Sequence, residues 1–420
     1  MKAYLKSLKY SLIFLDTLFF YISLFITIYL RYGFEFETLK QHFLGFTLIL
    51  PFWLIAFYSQ NFYSFDLFKN KFSLRLIKAF SLGFVITIIF FYFSPQLKIS
   101  PKTNLFLFIL IYLFIFIVYR NWFEDRFLKN KKIKILVILP KNFIERFKKD
   151  FVNLTIYDFT IYEENLIYNY LDFNAIVISR KIYNQELINK IIEKINYRVP
   201  IIELIDFYEK NLGRIPLEEI DEYWILREII NPELKFQSFI KRILDIILSL
   251  IIGILSLPLL PLIALSIYLN SPGSIIFKQK RIGKGNKEFT IYKFRTMRNL
   301  PDQGIWEKEK DERVFFIGKI LRRLHLDELP QIINVLKNEL SFVGPRPEQV
   351  NIVKELEKLI PFYNIRHLIL PGITGWTQVN YKKPYNLDET KIKIEYDFYY
   401  LKNRNIFLDI VIILKTIFKI

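Results

Sequence analysis

Four apolar runs dominate the start of the chain, at roughly 10–30, 43–59, 76–94 and 104–119. Each approaches the ~20 residues a helix needs to cross a hydrocarbon core, so the pattern predicts four transmembrane helices in a domain spanning 1–125. The first run is too long for a signal core and no small-residue cleavage site follows it, so it reads as a span and not as a cleaved leader. Basic residues favour one side. Lys2, Lys6 and Lys9 precede the first run, and Lys69, Lys71, Arg75 and Lys78 lie between the second and third. Arg120, Arg126, Lys129, Lys131, Lys132 and Lys134 follow the fourth, while the other two connections hold Arg31, Lys40, Lys98 and Lys102. Thirteen against four predicts that both ends of this unit face the cytoplasm.

A fifth run, 243–269, is also long enough to cross, yet Lys241 and Arg242 precede it and Lys278, Lys280 and Arg281 follow. Gly253, Pro258 and Pro261 interrupt it. Proline removes a helical hydrogen bond and bends the chain, and Ser256 offers a hydroxyl to a freed carbonyl. The expectation is a broken re-entrant membrane helix over 240–269, kinked around Ser256 and Pro258, that enters and leaves on one side. The alternative is a kinked fifth crossing, which would strand everything downstream outside the cell.

Between 131 and 228 the period changes. KIKILVIL and FNAIVIS read as short buried strands, ELINKIIEKINY has helical periodicity, and VPIIELIDFYEKN is a further strand-to-helix unit. This predicts a Rossmann-like α/β domain over 130–230. Dinucleotide binding needs glycines where the first strand turns into its helix. That turn reads LPKNFIERF, and no glycine occurs between Gly83 and Gly213. The domain is therefore expected to be a spacer, regulator or oligomerisation element, and a nucleotide-sugar dehydratase or dehydrogenase is disfavoured.

Composition narrows the chemistry. Of the 420 residues, 52% are hydrophobic and 43 are Phe, which suits a membrane protein, while 24% charged residues require large wet parts. A chain of this length predicts two or three domains. The lack of cysteine excludes disulfides and thiolate metal sites, and three histidines (His42, His325, His367) argue against a multi-histidine metal site. A net charge of +18 implies an anionic partner: nucleic acid, phospholipid headgroups or a phosphorylated substrate.

The candidate chemistry collects towards the end of the chain. Ten of the 13 glycines lie between Gly253 and Gly375 or at Gly213, many in the turn-like clusters SPGS, RIGKGNKEF, FVGPRP and LPGITGW. They alternate with the basic groups YKFRTM and LRRL. A glycine beside an arginine lets backbone amides and a guanidinium approach one anion together. Arg242, Lys293, Arg295, Arg322 and Arg346 are thus candidate phosphate ligands, suited to phosphoryl transfer, whose transition state mainly demands positioning and charge stabilisation. Among them RRLHLDELPQ, 322–331, sets two acids, Asp327 and Glu328, into an apolar and basic context. A helix start explains them structurally, since Asp is a good N-cap and Pro330 tolerates a first turn. A carboxylate there is equally a nucleophile able to form an acyl phosphate, or a ligand for Mg2+, kept ionised by the helix dipole. Serine or cysteine catalysis lacks support, because there is no cysteine and no GxSxG elbow. Nucleic-acid binding is disfavoured, because the basic charge is spread over membrane flanks and glycine turns instead of one helix face.

Five segments together resemble the bacterial sugar transferases, the polyprenyl-phosphate hexose-1-phosphate transferases that begin surface-glycan assembly. They are KRILDIILSL (241–250), YKFRTM (292–297), LDELPQIINVLKNELSFVGPRP (326–347), PGITGW (371–376) and YDFYYLKN (396–403). The likeness covers 238–420 nearly end to end. The four-span unit and the glycine-free α/β domain resemble the longer members, which prime exopolysaccharide, capsule or O-antigen synthesis. The resemblance implies a multidomain α/β membrane protein whose catalytic domain, 236–420, is mainly helical, α+β and monotopic. It implies the bacterial inner membrane as location, with that domain facing the cytoplasm, and a homodimer. It also implies a reaction, in which a UDP-sugar gives its sugar-1-phosphate to undecaprenyl phosphate and UMP is released. Asp327 falls on the family's nucleophile, which forms an aspartyl-phosphosugar intermediate and contacts Mg2+. Glu328 falls on its acid/base or orienting partner. Phosphate-binding positions fall on Arg322 and Arg346, with Lys293 and Arg242 as further candidates, although Arg242 serves equally to anchor the re-entrant helix among headgroups.

One departure from the family concerns the kink, commonly a Ser-Pro pair, which here reads Ser256-Leu257-Pro258 with Pro261 added. The final stretch, 406–420, is short for a crossing and is expected to form an interfacial amphipathic helix with Lys415 and Lys419 on its polar side, or else a core helix. Two other function classes stay open: a lipid-linked glycosyltransferase that moves the sugar alone and releases UDP, and a non-catalytic membrane scaffold of polysaccharide assembly. The presence of Asp327, Glu328, Arg322 and Arg346 argues against the scaffold.

Overall fold

The computed structural model describes residues 2–63, 72–94, 101–128, 132–152, 154, 156–163, 168–182, 185–195, 199–230, 234–298, 313–381, 384 and 386–417. Lys69, Lys71, Lys98, Lys129, Lys131 and Lys419, named above for their charge, lie outside the described residues. The chain divides into two compact units, Met1–Asn211 and Leu212–Ile420.

Four long helices open the first unit: α1 (Lys2–Tyr32), α2 (Phe36–Ser59), α3 (Phe72–Phe93) and α4 (Pro101–Phe123). All four are long and apolar enough to cross a membrane, as the runs predict. An aromatic core including Phe20, Phe46, Trp53, Phe57, Phe108 and Tyr112 packs between them. Several of its rings meet edge to face, as Phe20 and Phe108 do with centroids 4.9 Å apart, a geometry that ring quadrupoles favour. Among the described residues an ion pair is sealed inside. Arg120 Nη2 donates to Asp16 Oδ2 at 2.7 Å, with both side chains fully buried, and the Tyr63 hydroxyl donates to the same oxygen at 2.6 Å. Arg120 Nη1 also donates to the Phe62 carbonyl at 2.9 Å. Charges in an apolar interior persist only when paired and hydrogen-bonded. Arg120 therefore belongs to the bundle core and not to its basic flank; thirteen less one is twelve, still against four.

Strands and helices then alternate: β1 (Ile133–Ile138), α5 (Ile144–Phe151), β2 (Tyr157–Ile161), β3 (Ala175–Ile178), α6 (Gln185–Ile195), β4 (Ile201–Glu203) and α7 (Leu204–Leu212). The four strands form one parallel sheet in the order β2-β1-β3-β4. The inner strands β1 and β3 are almost wholly buried, which is why they read as runs of Ile, Leu and Val. β2 sits at the sheet edge, half exposed, and its sequence YDFTI carries no apolar run.

The second unit starts with a strap, 212–229, that includes α8 (Glu222–Glu228). The fifth apolar run becomes α9 (Leu234–Ser256) and α10 (Leu259–Asn270), bent by 63° at the break. Ser256 Oγ donates to the Gly253 carbonyl at 2.9 Å and Pro258 is the N-cap of α10, so both residues lie at the break. A hairpin follows, β5 (Ile276–Ile282) with β6 (Glu288–Phe294), then α11 (Phe316–Arg323), a 3-10 helix over Leu326–Gln331, and α12 (Ile332–Leu336). The remainder is β7 (Ser341–Val343), α13 (Val350–Leu359), β8 (Gly372–Thr374), α14 (Trp376–Asn380), α15 (Leu387–Asn403) and α16 (Ile406–Ile417), with β7 and β8 paired in parallel.

α16 buries Leu408, Val411 and Ile412 and exposes Phe407 and Ile410. Lys415 does not lie on a solvated face: its Nζ donates to Asn380 Oδ1 at 3.2 Å and sits 4.8 Å from the centre of the Trp376 ring. The helix is thus seated in the domain by one face and exposes apolar residues on the other.

The strap is held from α14 and α15. Trp376 Nε1 donates to the Gly213 carbonyl at 2.7 Å, Arg214 Nη1 donates to Glu395 Oε2 at 3.0 Å, and the Leu217 amide donates to Glu395 Oε1 at 3.1 Å. Glu395 is fully buried, and Trp224 is buried against Phe398. Arg214→Met leaves that carboxylate buried without its guanidinium partner, so the second unit is expected to lose about 3–5 kcal/mol of unfolding free energy. Denaturant unfolding of the full chain, followed by tryptophan fluorescence, checks this; a loss under about 0.5 kcal/mol, the scale of an ordinary surface change, would contradict it.

Candidate active site

Asp327 and Glu328 lie in the 3-10 turn Leu326–Gln331, which starts after His325 in the left-handed region (φ 55°) and continues into α12. Pro330 lies inside this 3-10 turn, one residue ahead of Gln331, which caps α12. His325, not Asp327, holds the capping position and no side chain caps the turn, so the helix-start explanation of Asp327 fails. Two contacts seat α12. Arg242 of α9 donates to the Val335 and Leu336 carbonyls at 2.6 and 3.0 Å, bringing positive charge to the end of the helix where it is favoured. Asn334, fully buried, donates to the Thr290 carbonyl at 2.7 Å and accepts from the Tyr292 amide at 3.2 Å, which stitches α12 to β6. β6 then carries Lys293 to the acid pair.

Lys293 Nζ donates to Glu328 Oε1 at 2.6 Å, and Arg346 Nη2 lies 3.5 Å from the same oxygen. Burial alone would raise the Glu328 carboxyl, but Lys293 and Arg346 outweigh it and bring the pKa down to about 2. Asp327 differs. It is 8% exposed, and among the described residues its carboxylate accepts no hydrogen bond. Burial and the Glu328 charge push its pKa up, against the pull of Lys293 and Arg322. The Lys293 ammonium is pulled down by burial and by Arg346, with Glu328 opposing. One carboxylate is thus neutralised in place, and its neighbour is left with open lone pairs.

Arg322 Nε donates to Thr296 Oγ1 at 2.8 Å. α11 approaches that closely because residue 318 is glycine, where a Cβ would collide with the Thr296 carbonyl. The structure therefore gathers Lys293, Arg322 and Arg346 around the acid pair, and it does not gather Arg242 or Arg295. Arg295 is buried, with guanidinium nitrogens donating to the Ser271 and Pro272 carbonyls. Nor are the glycines of FVGPRP and LPGITGW anion cradles. The Gly344 amide donates to the Thr374 carbonyl at 2.9 Å and the Gly372 amide to the Pro345 carbonyl at 3.0 Å. A Cβ at either position would strike backbone of the facing turn, so these glycines let two turns press together and set Arg346.

The family described as bacterial sugar transferase matches residues 236–420. A UDP-N-acetylgalactosamine-undecaprenyl-phosphate N-acetylgalactosaminephosphotransferase of Aeromonas hydrophila is 42% identical over 221 residues, 52% of each chain. A UDP-glucose:undecaprenyl-phosphate glucose-1-phosphate transferase of Escherichia coli K12 is 35% identical over 223 residues, 52% of this chain and 48% of its own. An exopolysaccharide production protein, PSS, of Rhizobium leguminosarum bv. phaseoli is 40% identical over 186 residues, 42% of this chain and 93% of its own. The chain belongs to the bacterial sugar transferase family. It spans about half the length of the first two relatives.

Within the family-matched region, a second layer escapes sequence reasoning. Arg366 donates through Nε to Asp397 at 3.0 Å and through Nη2 to the Arg346 carbonyl at 2.9 Å, while Thr377 Oγ1 donates to Asp397 Oδ1 at 2.6 Å. Asp245 of α9 accepts from the Phe342 amide at 3.1 Å. These groups fix the turn that presents Arg346. Their only signal is position: Asp397 lies in YDFYYLKN, Thr377 just follows PGITGW, and Asp245 lies in KRILDIILSL.

Glu328 has a clear pH signature. Its folded pKa of about 2 lies below the ordinary 4.5, so the stability it contributes is complete above pH ~4.5 and is lost as the pH falls towards 2. Lys293→Met removes a cation that holds it down, and the acid-unfolding midpoint of the second unit is expected to move to higher pH. Overlapping acid-unfolding curves for the two proteins would show that Lys293 does not control Glu328.

Proposed function

We propose that the chain transfers sugar-1-phosphate from a UDP-sugar to undecaprenyl phosphate and releases UMP. The observation that carries this reading is the asymmetry of the acid pair: Glu328 is neutralised by Lys293 and Arg346, and Asp327 is unbonded beside them. In the first step an Asp327 oxygen attacks the β-phosphorus. A carboxylate–phosphorus bond forms, the bond from that phosphorus to the bridging oxygen breaks, and UMP leaves with the electron pair. In the second step an oxygen of the lipid phosphate attacks the same phosphorus, the acyl–phosphate P–O bond breaks, and Asp327 is regenerated as a carboxylate. Lys293, Arg322 and Arg346 stabilise the charge on the phosphoryl oxygens throughout. A pKa of about 2 leaves Glu328 without a proton near neutrality, which favours an orienting role over acid catalysis.

Mg2+ suits this donor set. It commonly takes one or two carboxylates and completes its shell from water and substrate phosphates, and among the described residues no group of three or more acidic or histidine ligands forms a cage. Held at Asp327, it would neutralise diphosphate charge. α9 and α10, bent by 63°, are read as the re-entrant helix, with the transferase unit on the cytoplasmic side of the bacterial inner membrane. The parallel-sheet region is read as a Rossmann-like domain without a nucleotide fingerprint.

The relatives are named for N-acetylgalactosamine and for glucose, so a panel of UDP-sugars is the assay to run with undecaprenyl phosphate and Mg2+. Turnover is expected to release UMP, whereas UDP would point to a lipid-linked glycosyltransferase. Asp327→Asn is expected to keep the fold and lose about 10³-fold or more in turnover; retained activity would remove Asp327 as nucleophile. Because the chain has no cysteine, a single one introduced near 275 reports topology. It is expected to label from the cytoplasmic side alone, and labelling from the other side would favour a fifth crossing.

A further inference from the structure

The decapeptide RRLHLDELPQ closes on Gln331, a residue the mechanism above does not use. Its side chain is 2% exposed, and its Nε2 has no hydrogen-bond partner among the described residues. A buried amide donor left unsatisfied costs free energy, so such groups are rare unless something takes the bond. Gln331 lines a cavity of about 10 Å³ together with Arg281, Ile291, Lys293, Arg346, Pro347 and Gly372. That is room for one oxygen-sized group. Apart from the Gln331 carbonyl, every polar side-chain group on this wall is a donor: an ammonium, two guanidiniums and the amide. Arg281 already donates to Gln279 Oε1 and the Pro347 carbonyl, and Lys293 to Glu328, so the Gln331 amide is the donor that asks for an acceptor, and the nearby cations favour an anionic one. A water molecule finds few acceptors there for its own two hydrogens, whereas an anionic oxygen needs none. Lys293 and Arg346 both reach Glu328, so this cavity adjoins the acid pair.

We propose that Gln331 is a substrate-binding residue whose Nε2 donates to one non-bridging phosphoryl oxygen of the UDP-sugar's diphosphate, in a subsite completed by Lys293 and Arg346. This rests on the proposed use of a UDP-sugar. A neutral donor is the appropriate fourth partner here. Another cation would repel the three already present, and a carboxylate would compete with Glu328 for Lys293.

The test uses the full chain in detergent, with UDP as the binding probe and a UDP-sugar with undecaprenyl phosphate for kinetics. Gln331→Leu removes the donor, and Gln331→Met does so with an unbranched chain, which decides the matter if the leucine variant does not fold. Loss of one hydrogen bond to a charged oxygen is expected to weaken UDP binding and raise the donor KM by about tenfold or more. The melting temperature and the KM for the lipid phosphate are expected to stay near those of the unsubstituted chain. UDP affinity and donor KM within twofold in a folded variant would mean that the cavity takes only water, and would overturn the assignment of Gln331 alone. An unsubstituted chain that neither binds UDP nor consumes any UDP-sugar would overturn the proposed function as well.

Discussion

The triplet of Lys293, Glu328 and Arg346 is the contact on which the second unit turns. Its three members come from β6, from the 3-10 turn and from the turn after β7, and they converge on one carboxylate oxygen. Each arrives through its own support. Asn334 ties β6 to α12, Arg242 holds the far end of α12, and Arg366 with Asp397 fixes the backbone at Arg346. Because Glu328 takes these cations, Asp327 beside it keeps a carboxylate that accepts no hydrogen bond among the described residues. A nucleophile needs available lone pairs, and an anionic diphosphate needs positive charge.

The same rule governs polar groups elsewhere. In the first unit Asp16 and Arg120 are wholly buried and survive by pairing, with Tyr63 and the Phe62 carbonyl taking further bonds. In the second, Glu395 is neutralised by Arg214 and the Leu217 amide, from a strap that precedes the family-matched region. These two buried pairs each tie segments that are distant in the chain.

How much was legible follows from the range of each interaction. Span length and apolar content are local, so the four crossing-length helices and the broken fifth run could be read directly. β1, β3 and β4 were legible for the same reason, whereas β2, half exposed at the sheet edge, carried no such run. The acid pair stood out because two carboxylates in an apolar, basic stretch are unusual. The placing of the arginines did not, because sequence shows a guanidinium and not the carbonyl it meets; Arg242 and Arg295 bond backbone, and Arg322 and Arg346 lie beside the acid pair. The glycine clusters misled for a related reason. Gly344 and Gly372 are required by each other's turns across nearly thirty residues of chain, and a contact at that separation leaves no periodic trace.

The most direct test of the account is to incubate the chain with a UDP-sugar alone, quench it and map the digested peptides by mass spectrometry. The account expects a sugar-phosphate adduct on Asp327, formed before any lipid phosphate is added and discharged when it is. An adduct on Glu328, or brisk turnover with no adduct and no UMP until donor and lipid are present together, would contradict it.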